Sequence, residues 1–289
     1  MRLLYNKITM KKIHAIAGLL FLLFTLQANT QNMRVATYNL RYDNVNDSGN
    51  RWNDRYPVIS SLVQFYDFDI FGTQEGLQHQ LENLGTSLPA YAWYGVGRDD
   101  GNTKGEHAAI FFKKDKFTVL QKGDFWLSET PDKPGPGWDA HLNRVCSWIQ
   151  FREIKTKKKF YFFNVHFDHQ GINARKESSK LILAKIKAIA GNAPVIFTGD
   201  LNGGQDSDWY VTLANSGLLK DTYKQAAHPY ANNGSFNSFG ANLATNQIID
   251  HIFTTAGFIT TKWGILTDSY HGKFPSDHFP VMADIQWDK

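Results

Sequence analysis

The amino-acid sequence predicts a layered α/β fold, and three observations carry that expectation. Short apolar runs of strand length alternate with helix-period segments along the chain. One run, Phe160 to His166 (FYFFNVH), is nearly all apolar, as a strand covered on both faces must be. Polar residues recur at the ends of the runs: Asn39, Glu75, His166, Asp200, Asn202, Asp250 and His278. In layered α/β proteins strand ends meet along one edge, where ligands bind.

Taken in order, Met33 to Leu40 (MRVATYNL) alternates as a strand does, and Arg55 to Tyr66 reads as a helix with Pro57 in its first turn. Asp69 to Gln74 is a second short strand that runs into Glu75. Strands at Ala108 to Phe112 and Trp148 to Phe151 flank a long loop, Trp126 to Arg144, rich in Pro and Gly. Ala174 to Ala190 is the clearest helix, with Leu181, Ile182, Lys185, Ile186 and Ile189 along one stripe and Gly191 as its stop. Pro194 to Thr198 delivers Gly199 and Asp200, and two last strands, Ile248 to Thr254 and Pro280 to Gln286, each begin beside an Asp-His pair.

With 289 residues, 42% hydrophobic and 20% charged, the chain can bury a sizeable core without staples, as one large domain or two small ones. No low-complexity linker or repeat divides it. A lone Cys146 excludes an intramolecular disulfide framework and any multi-thiolate zinc or iron–sulfur site, which leaves carboxylates, amides and ten histidines for chemistry.

Lys11 and Lys12 precede an apolar run, Ala15 to Leu26, then Gln27-Ala28-Asn29-Thr30, the pattern of a secretory signal over residues 1–30 ahead of one domain at 31–289. The run is too short to span a membrane comfortably. The expected location is therefore periplasmic or secreted, and Met10 is an alternative start to Met1. Removing the leader takes away four basic residues and no acid, leaving 27 of each sign. The pI of 8.9 is thus mostly a targeting effect, and bulk charge gives no support to nucleic-acid binding.

Glu75, Asp200, Asp250 and Asp277 are hard oxygen donors, suited to Mg²⁺, Mn²⁺ or Ca²⁺ rather than zinc. The ordered motifs TYNL (Asn39), TQE (Glu75), NVH (His166), GDLN (Asp200, Asn202), IDHI (Asp250) and SDHFP (Asp277, His278) resemble the endonuclease/exonuclease/phosphatase superfamily, with its deoxyribonuclease I-like fold, from Met33 to Asp288. GRDDG (Gly97 to Gly101), WLSETP and HxGxxARxES look like a secreted bacterial subgroup. The resemblance implies a four-layered sandwich of two mixed sheets flanked by helices, with the site at one mouth. It also implies a metal at Glu75, Asn39 and Asp277, and Asp200 acting on the attacking water. Asn202, His166, Asn39 and Arg144 would hold the substrate, and Asp250 would orient a phosphate-contacting His278. His166 alternatively fits a core histidine, and Arg144 a solvated or surface-paired guanidinium. Asp99 and Asp100 fit a plain turn, Asp168 and His169 a loop-orienting role, and Trp126 and Trp138 either core or a stacking wall. Two departures stand out: His251 occupies a place where many relatives carry Tyr, which is expected to alter pocket packing, and the segment after GDLN lacks a common proline.

The function expected is a metal-dependent phosphoesterase for a phosphorylated small molecule or glycan. The alternatives are a nuclease, a sphingomyelinase-like phospholipase and, least favoured, a non-catalytic glycan-binding module. The one basic run, Lys155 to Lys159, reads as a solvated hairpin turn. No convincing membrane-binding stripe is present.

Overall fold

The computed structural model describes residues 32–288, so the leader expected at 1–30 lies outside the described residues. In chain order the first half holds β1 (Met33–Asn39), α1 (Trp52–Tyr66), β2 (Ile70–Gln74), α2 (Gln78–Ser87), β3 (Tyr91–Tyr94), β4 (Ile110–Lys113), β5 (Phe117–Trp126) and β6 (Val145–Glu153). The second holds β7 (Lys159–His166), α3 (Ile172–Ala190), β8 (Val195–Asp200), α4 (Asp208–Ala214), β9 (Lys220–Asp221) and α5 (Thr222–Gln225). It ends with β10 (Pro229–Tyr230), β11 (Asp250–Thr254), β12 (Phe258–Ile265) and β13 (Val281–Trp287). Among the described residues these make a seven-stranded sheet, β10-β12-β13-β1-β2-β4-β3, and a six-stranded sheet, β5-β6-β7-β8-β11-β9. Both sheets are mixed, since β1 and β2 run parallel, as do β7 and β8, while their other neighbours run antiparallel.

Period-2 alternation sorts the side chains into layers. Val35, Ile70, Phe162, Ile196, Ile252 and Ile285 meet between the sheets. Their neighbours in sequence turn outward: Ala36 and Phe71 pack under Ile59, Leu62 and Leu84 of the helices on one side. Phe163, Phe197 and Phe253 pack under Ile182, Ile186 and Leu213 on the other. Helix, sheet, sheet and helix form the four layers expected, and the apolar run of β7 is buried on both faces.

The connections place the site. In β1-α1-β2 and in β7-α3-β8 a helix carries the chain back so that two parallel strands end at the same edge. Asn39 and Glu75 therefore come out beside each other, as do His166 and Asp200. Antiparallel β11 and β13 enter the sheets at that edge, which puts Asp250, Asp277 and His278 there too.

Several boundaries differ from expectation for identifiable reasons. Helix α1 begins at Trp52, three residues early, because Trp52 and Arg55 are buried at its start. Pro57 consequently lies in the second turn, and the carbonyl it leaves free belongs to solvent-exposed Asn53. The buried stripe of α3 is Ala174, Ser178, Ile182, Ile186 and Ala190, with Leu181 and Ile189 at its margin. Helices α2, α4 and α5 and strands β3, β5, β9, β10 and β12 carry weaker local patterns and enter through tertiary pairing. Among the described residues no helix is long and apolar enough to cross a membrane.

A polar seam crosses the otherwise apolar space between the sheets. On β7, Asn164 donates to the carbonyls of Thr73 (2.8 Å) and Ala109 (3.0 Å), and its oxygen accepts from Gln74 (2.7 Å) and Thr198 (3.0 Å). The seam requires a glycine at position 72, where a Cβ would overlap the Asn164 amide and the Thr198 hydroxyl. Gly72→Ala is therefore expected to cost about 2–3 kcal/mol in urea unfolding, within the range of overpacked cores. Gly135→Ala, in open space, should stay within about 0.5 kcal/mol.

Candidate active site

The strand ends enclose a cleft of about 600 Å³ lined by Arg41, Glu75, Arg98, Glu106, Arg144, His166, Asp200, Asn202, Asp277 and His278, among others. Asp200 and Asp250 stand directly opposite in the β8–β11 ladder, a like-charge pair that the sheet would not tolerate unaided. His278 lies against both: Nδ1 is 2.9 Å from Asp250 and Nε2 is 3.7 Å from Asp200. Burial opposes its charge, but Asp250 and Asp200 together hold the imidazole well above its usual value, so it is a cation. Asp200 itself, lifted by burial and by Asp250, sits at about 7. Its oxygens accept from Asn39 Nδ2 (3.0 Å) and the Asn202 backbone N–H (2.8 Å).

Glu75 and Asp277 form a second acidic group around Arg41. The Asn39 amide donates to Glu75 (3.0 Å), and the Tyr42 backbone N–H donates to its other oxygen (3.1 Å). Arg41 grips Asp47 with two bonds, at 2.8 and 3.0 Å, but stays 3.9 Å from Glu75 and 3.8 Å from Asp277. Burial lifts the Asp277 carboxyl to about 6, with His278 opposing and Glu75 reinforcing the rise. Arg55, fully buried, holds these loops together by donating to the carbonyls of Leu40, Arg41, Asn50 and Pro275. Arg41, Glu75 and Asn202 all adopt left-handed backbone conformations, with φ of 55°, 63° and 47°. Such conformations are strained for residues other than glycine.

Which acids suit a cation follows from their existing partners. Asp200, Asp250 and His278 lie close enough to share an ion, with ligand atoms within 4.8 Å. An imidazolium has no free lone pair, however, and its Nδ1–H already donates to Asp250, so this cluster suits holding protons better than an ion. Glu75 and Asp277 fit a hard divalent cation better, because they are anionic oxygen donors whose nearby guanidinium is committed elsewhere. Asn39 turns its nitrogen toward the two carboxylates and its oxygen to the Arg41 N–H (3.0 Å), so here it orients the acids.

On the far wall, Asn202 Nδ2 donates to His166 Nε2 (3.0 Å) and to the Phe167 carbonyl (2.9 Å), which commits both its protons. Burial and then Arg144 push His166 well below its usual pKa, so it is neutral with its proton on Nδ1, 3.7 Å from Glu106. Arg144 is buried in the cleft wall instead of solvated. Glu106, raised by burial and by Glu75 against Arg98 and Arg144, sits at about 7.

The remaining expectations resolve individually. Asp168 organises its loop, accepting from the N–H groups of Leu142, Gln170 and Gly171; burial opposes but those bonds hold it at about 2. Asp100 closes a turn through Asn102 and Lys104. Trp126 is core, with its indole N–H on the Arg98 carbonyl. His251 does not line the cleft: it alternates away from Asp250 and packs on Tyr210, with ring centroids 4.8 Å apart. Arg41, Arg98 and Arg55 were not anticipated, although a basic residue just past a strand end (Arg41) and one inside GRDDG (Arg98) were visible signals.

Known proteins share this fold. The profile described as "Endonuclease/Exonuclease/phosphatase family" matches residues 36–278. A crystal structure of a protein of that family from Bacteroides thetaiotaomicron superposes with a TM-score of 0.87 at 48% identity, covering 89% of this chain and 96% of the other. The mannosyl-6-phosphatase of Bacteroides thetaiotaomicron VPI-5482 does so with a TM-score of 0.86 at 48% identity, covering 88% and 99%. An uncharacterized protein of Acanthamoeba polyphaga mimivirus is 27% identical over 251 residues, 80% of this chain and 91% of its own length.

A raised carboxyl pKa means that the folded state holds the proton more tightly than the unfolded chain. For Asp277 the stability so gained is lost as pH rises from about 4 toward 6. A divalent cation at Glu75 and Asp277 competes with that proton. Saturating Mn²⁺ should therefore raise Tm more at pH 7.5 than at pH 5, and Glu75→Ala should abolish most of the gain without lowering the metal-free Tm. Equal shifts at both pH values, or an undiminished shift in the variant, would move the cation elsewhere.

Proposed function

The chain belongs to the Endonuclease/Exonuclease/phosphatase family, and on that premise we propose that it is an exported, divalent-metal-dependent phosphoesterase acting on a phosphorylated small molecule or glycan. The observation that carries this reading is the pairing of a carboxylate base near neutrality, Asp200, with an imidazolium, His278, on one wall of a cleft. Likeness to a mannosyl-6-phosphatase at 48% identity supports a phosphorylated sugar over a polymer.

Asp200 takes the proton of the attacking water, a task for which a pKa of about 7 suits an enzyme working near neutral pH. Its orientation is fixed by Asn39 and by the Asn202 backbone N–H. The His278 Nε2–H faces the cleft and donates to a non-bridging phosphate oxygen, while Asp250 keeps the ring from turning and keeps it charged. Glu75 and Asp277 would hold the cation, which when bound supplies neutralising charge to the phosphate and its leaving oxygen. Neutral His166, fixed by Asn202, closes the site on the β7 side.

A nucleic-acid substrate is disfavoured by the even charge of the mature chain and by the position of its basic run. Lys155 to Lys158 form the turn between β6 and β7, at the opposite end of β7 from His166. One strand of that length places it roughly 25 Å from the cleft.

Asp200→Asn preserves shape and removes the base, so kcat should fall about 10²–10⁴-fold at saturating Mg²⁺. His278→Ala should cost about 10²–10³-fold, and the double variant less than the product of the two, because both groups act in one transition state. Asp250→Asn should reproduce part of the His278→Ala loss. An Asp200→Asn protein that is folded and keeps most of its rate would sink the hydrolytic reading.

Export is the second part of the proposal. It rests on the Lys11-Lys12 and Ala15 to Leu26 pattern. N-terminal sequencing of protein from the periplasm or medium should find the mature start near Ala28 to Gln31. A mature start upstream of Leu20 would overturn it.

A further inference from the structure

One wall of the cleft takes no part in the phosphoryl chemistry above. It is formed by Arg98, Glu106, Arg144 and His169. Arg144 is 4% exposed, yet its Nε and one terminal nitrogen, Nη1, have no hydrogen-bond partner. The nearest carboxylates stand just out of reach, Asp168 at 3.5 Å from Nε and Glu106 at 3.8 Å from Nη1. Its other terminal nitrogen donates to His169 Nδ1 at 3.2 Å. The Glu106 oxygen nearest Arg144 accepts from Arg98 at 2.6 Å, and the carboxylate keeps spare lone pairs. The guanidinium and carboxylate are therefore each held in place and mutually unsatisfied.

We propose that this wall is a hydroxyl-reading subsite for the alcohol part of the substrate, a polyhydroxylated ring; the inference rests on the phosphoesterase reading and names the substrate class that reading leaves open. The 3.8 Å gap between Arg144 and Glu106 is too long for a bond and suits one oxygen lying roughly 2.8 Å from each. That oxygen must accept from the guanidinium and donate to the carboxylate at once. A hydroxyl does both. An ionised phosphate oxygen has no proton to give, and with Glu106 at about 7 it meets a like charge whenever that carboxyl is ionised, so the subsite suits a hydroxyl over a second phosphate. A hydrocarbon group does neither and leaves two buried N–H groups of Arg144 unpaired, a penalty on the order of tenfold or more in affinity. Leu142, Phe236 and Ile249 supply apolar surface in the same cleft for the face of a ring. Arg144 thus contacts substrate, as the sequence suggests, but through a hydroxyl and as one half of a pair with Glu106.

The test compares kcat and KM for a hexose 6-phosphate, its monodeoxy analogues and 4-nitrophenyl phosphate, with wild type and Glu106→Gln, in Mg²⁺. Wild type should lose at least about tenfold in kcat/KM when one particular ring hydroxyl is removed. Glu106→Gln should lose about tenfold on the parent sugar phosphate, mainly in KM, and should no longer distinguish it from that deoxy analogue. A wild type that treats every deoxy analogue as the parent would overturn the subsite, and this comparison needs no variant to fold. An equal loss of kcat on all substrates in Glu106→Gln would also overturn it, by assigning Glu106 to the chemistry through His166. Hydrolysis of no phosphoester by wild type would instead strike the functional reading on which the subsite stands.

Discussion

Asp200 and Asp250 face one another across the β8–β11 ladder, and the imidazolium of His278 is what allows both carboxylates to stay there. Two buried acids at a cross-strand position repel, and burial raises the cost of charging either. A cation lodged against both reverses the sign of the interaction and gives each acid a distinct job. Asp250 spends its charge on holding the ring, whereas Asp200, farther from it and loaded with hydrogen bonds from Asn39 and Asn202, keeps the basicity that a hydrolytic water needs.

The same balance of charge recurs around the cleft on a looser scale. Arg41 stands between Glu75 and Asp277 without bonding closely to either, because Asp47 has taken its two best donors. That leaves two anionic oxygens sets in want of a cation. Glu106 is tied to Arg98 and stops short of Arg144. Each incomplete pairing is a place where a ligand can finish the hydrogen-bonding that folding left open.

Holding so many like charges together requires rigid support, and the fold supplies it from below and from the side. The seam of Asn164, Gln74 and Thr198 ties the two sheets directly beneath the strand ends, and its polar groups bond to one another and to backbone, all but the Gln74 side-chain oxygen. Arg55 fastens four loop carbonyls without any carboxylate partner. Against that frame, Arg41, Glu75 and Asn202 can be kept in left-handed conformations that an unsupported chain would relax.

The layered α/β class and the strands that end at Asn39, Glu75, His166 and Asp200 are legible in the sequence alone. Those features are local: strand periodicity, double-sided burial in FYFFNVH and turn residues all act within a few positions of chain. Weak helices and edge strands such as α2, β3 and β12 were not legible, because their apolar patterns acquire meaning only against a partner surface. Which charges meet depends on packing. It turned His251 away from the cleft although it adjoins Asp250, committed Asn202 to His166, neutralised His166 and made His278 a cation. It also brought Arg41, Arg98 and Glu106 into a site where sequence spacing gave them no assigned part. Protonation and pairing depend on distance and dielectric between residues up to hundreds of positions apart, and these are set by packing rather than by any local pattern.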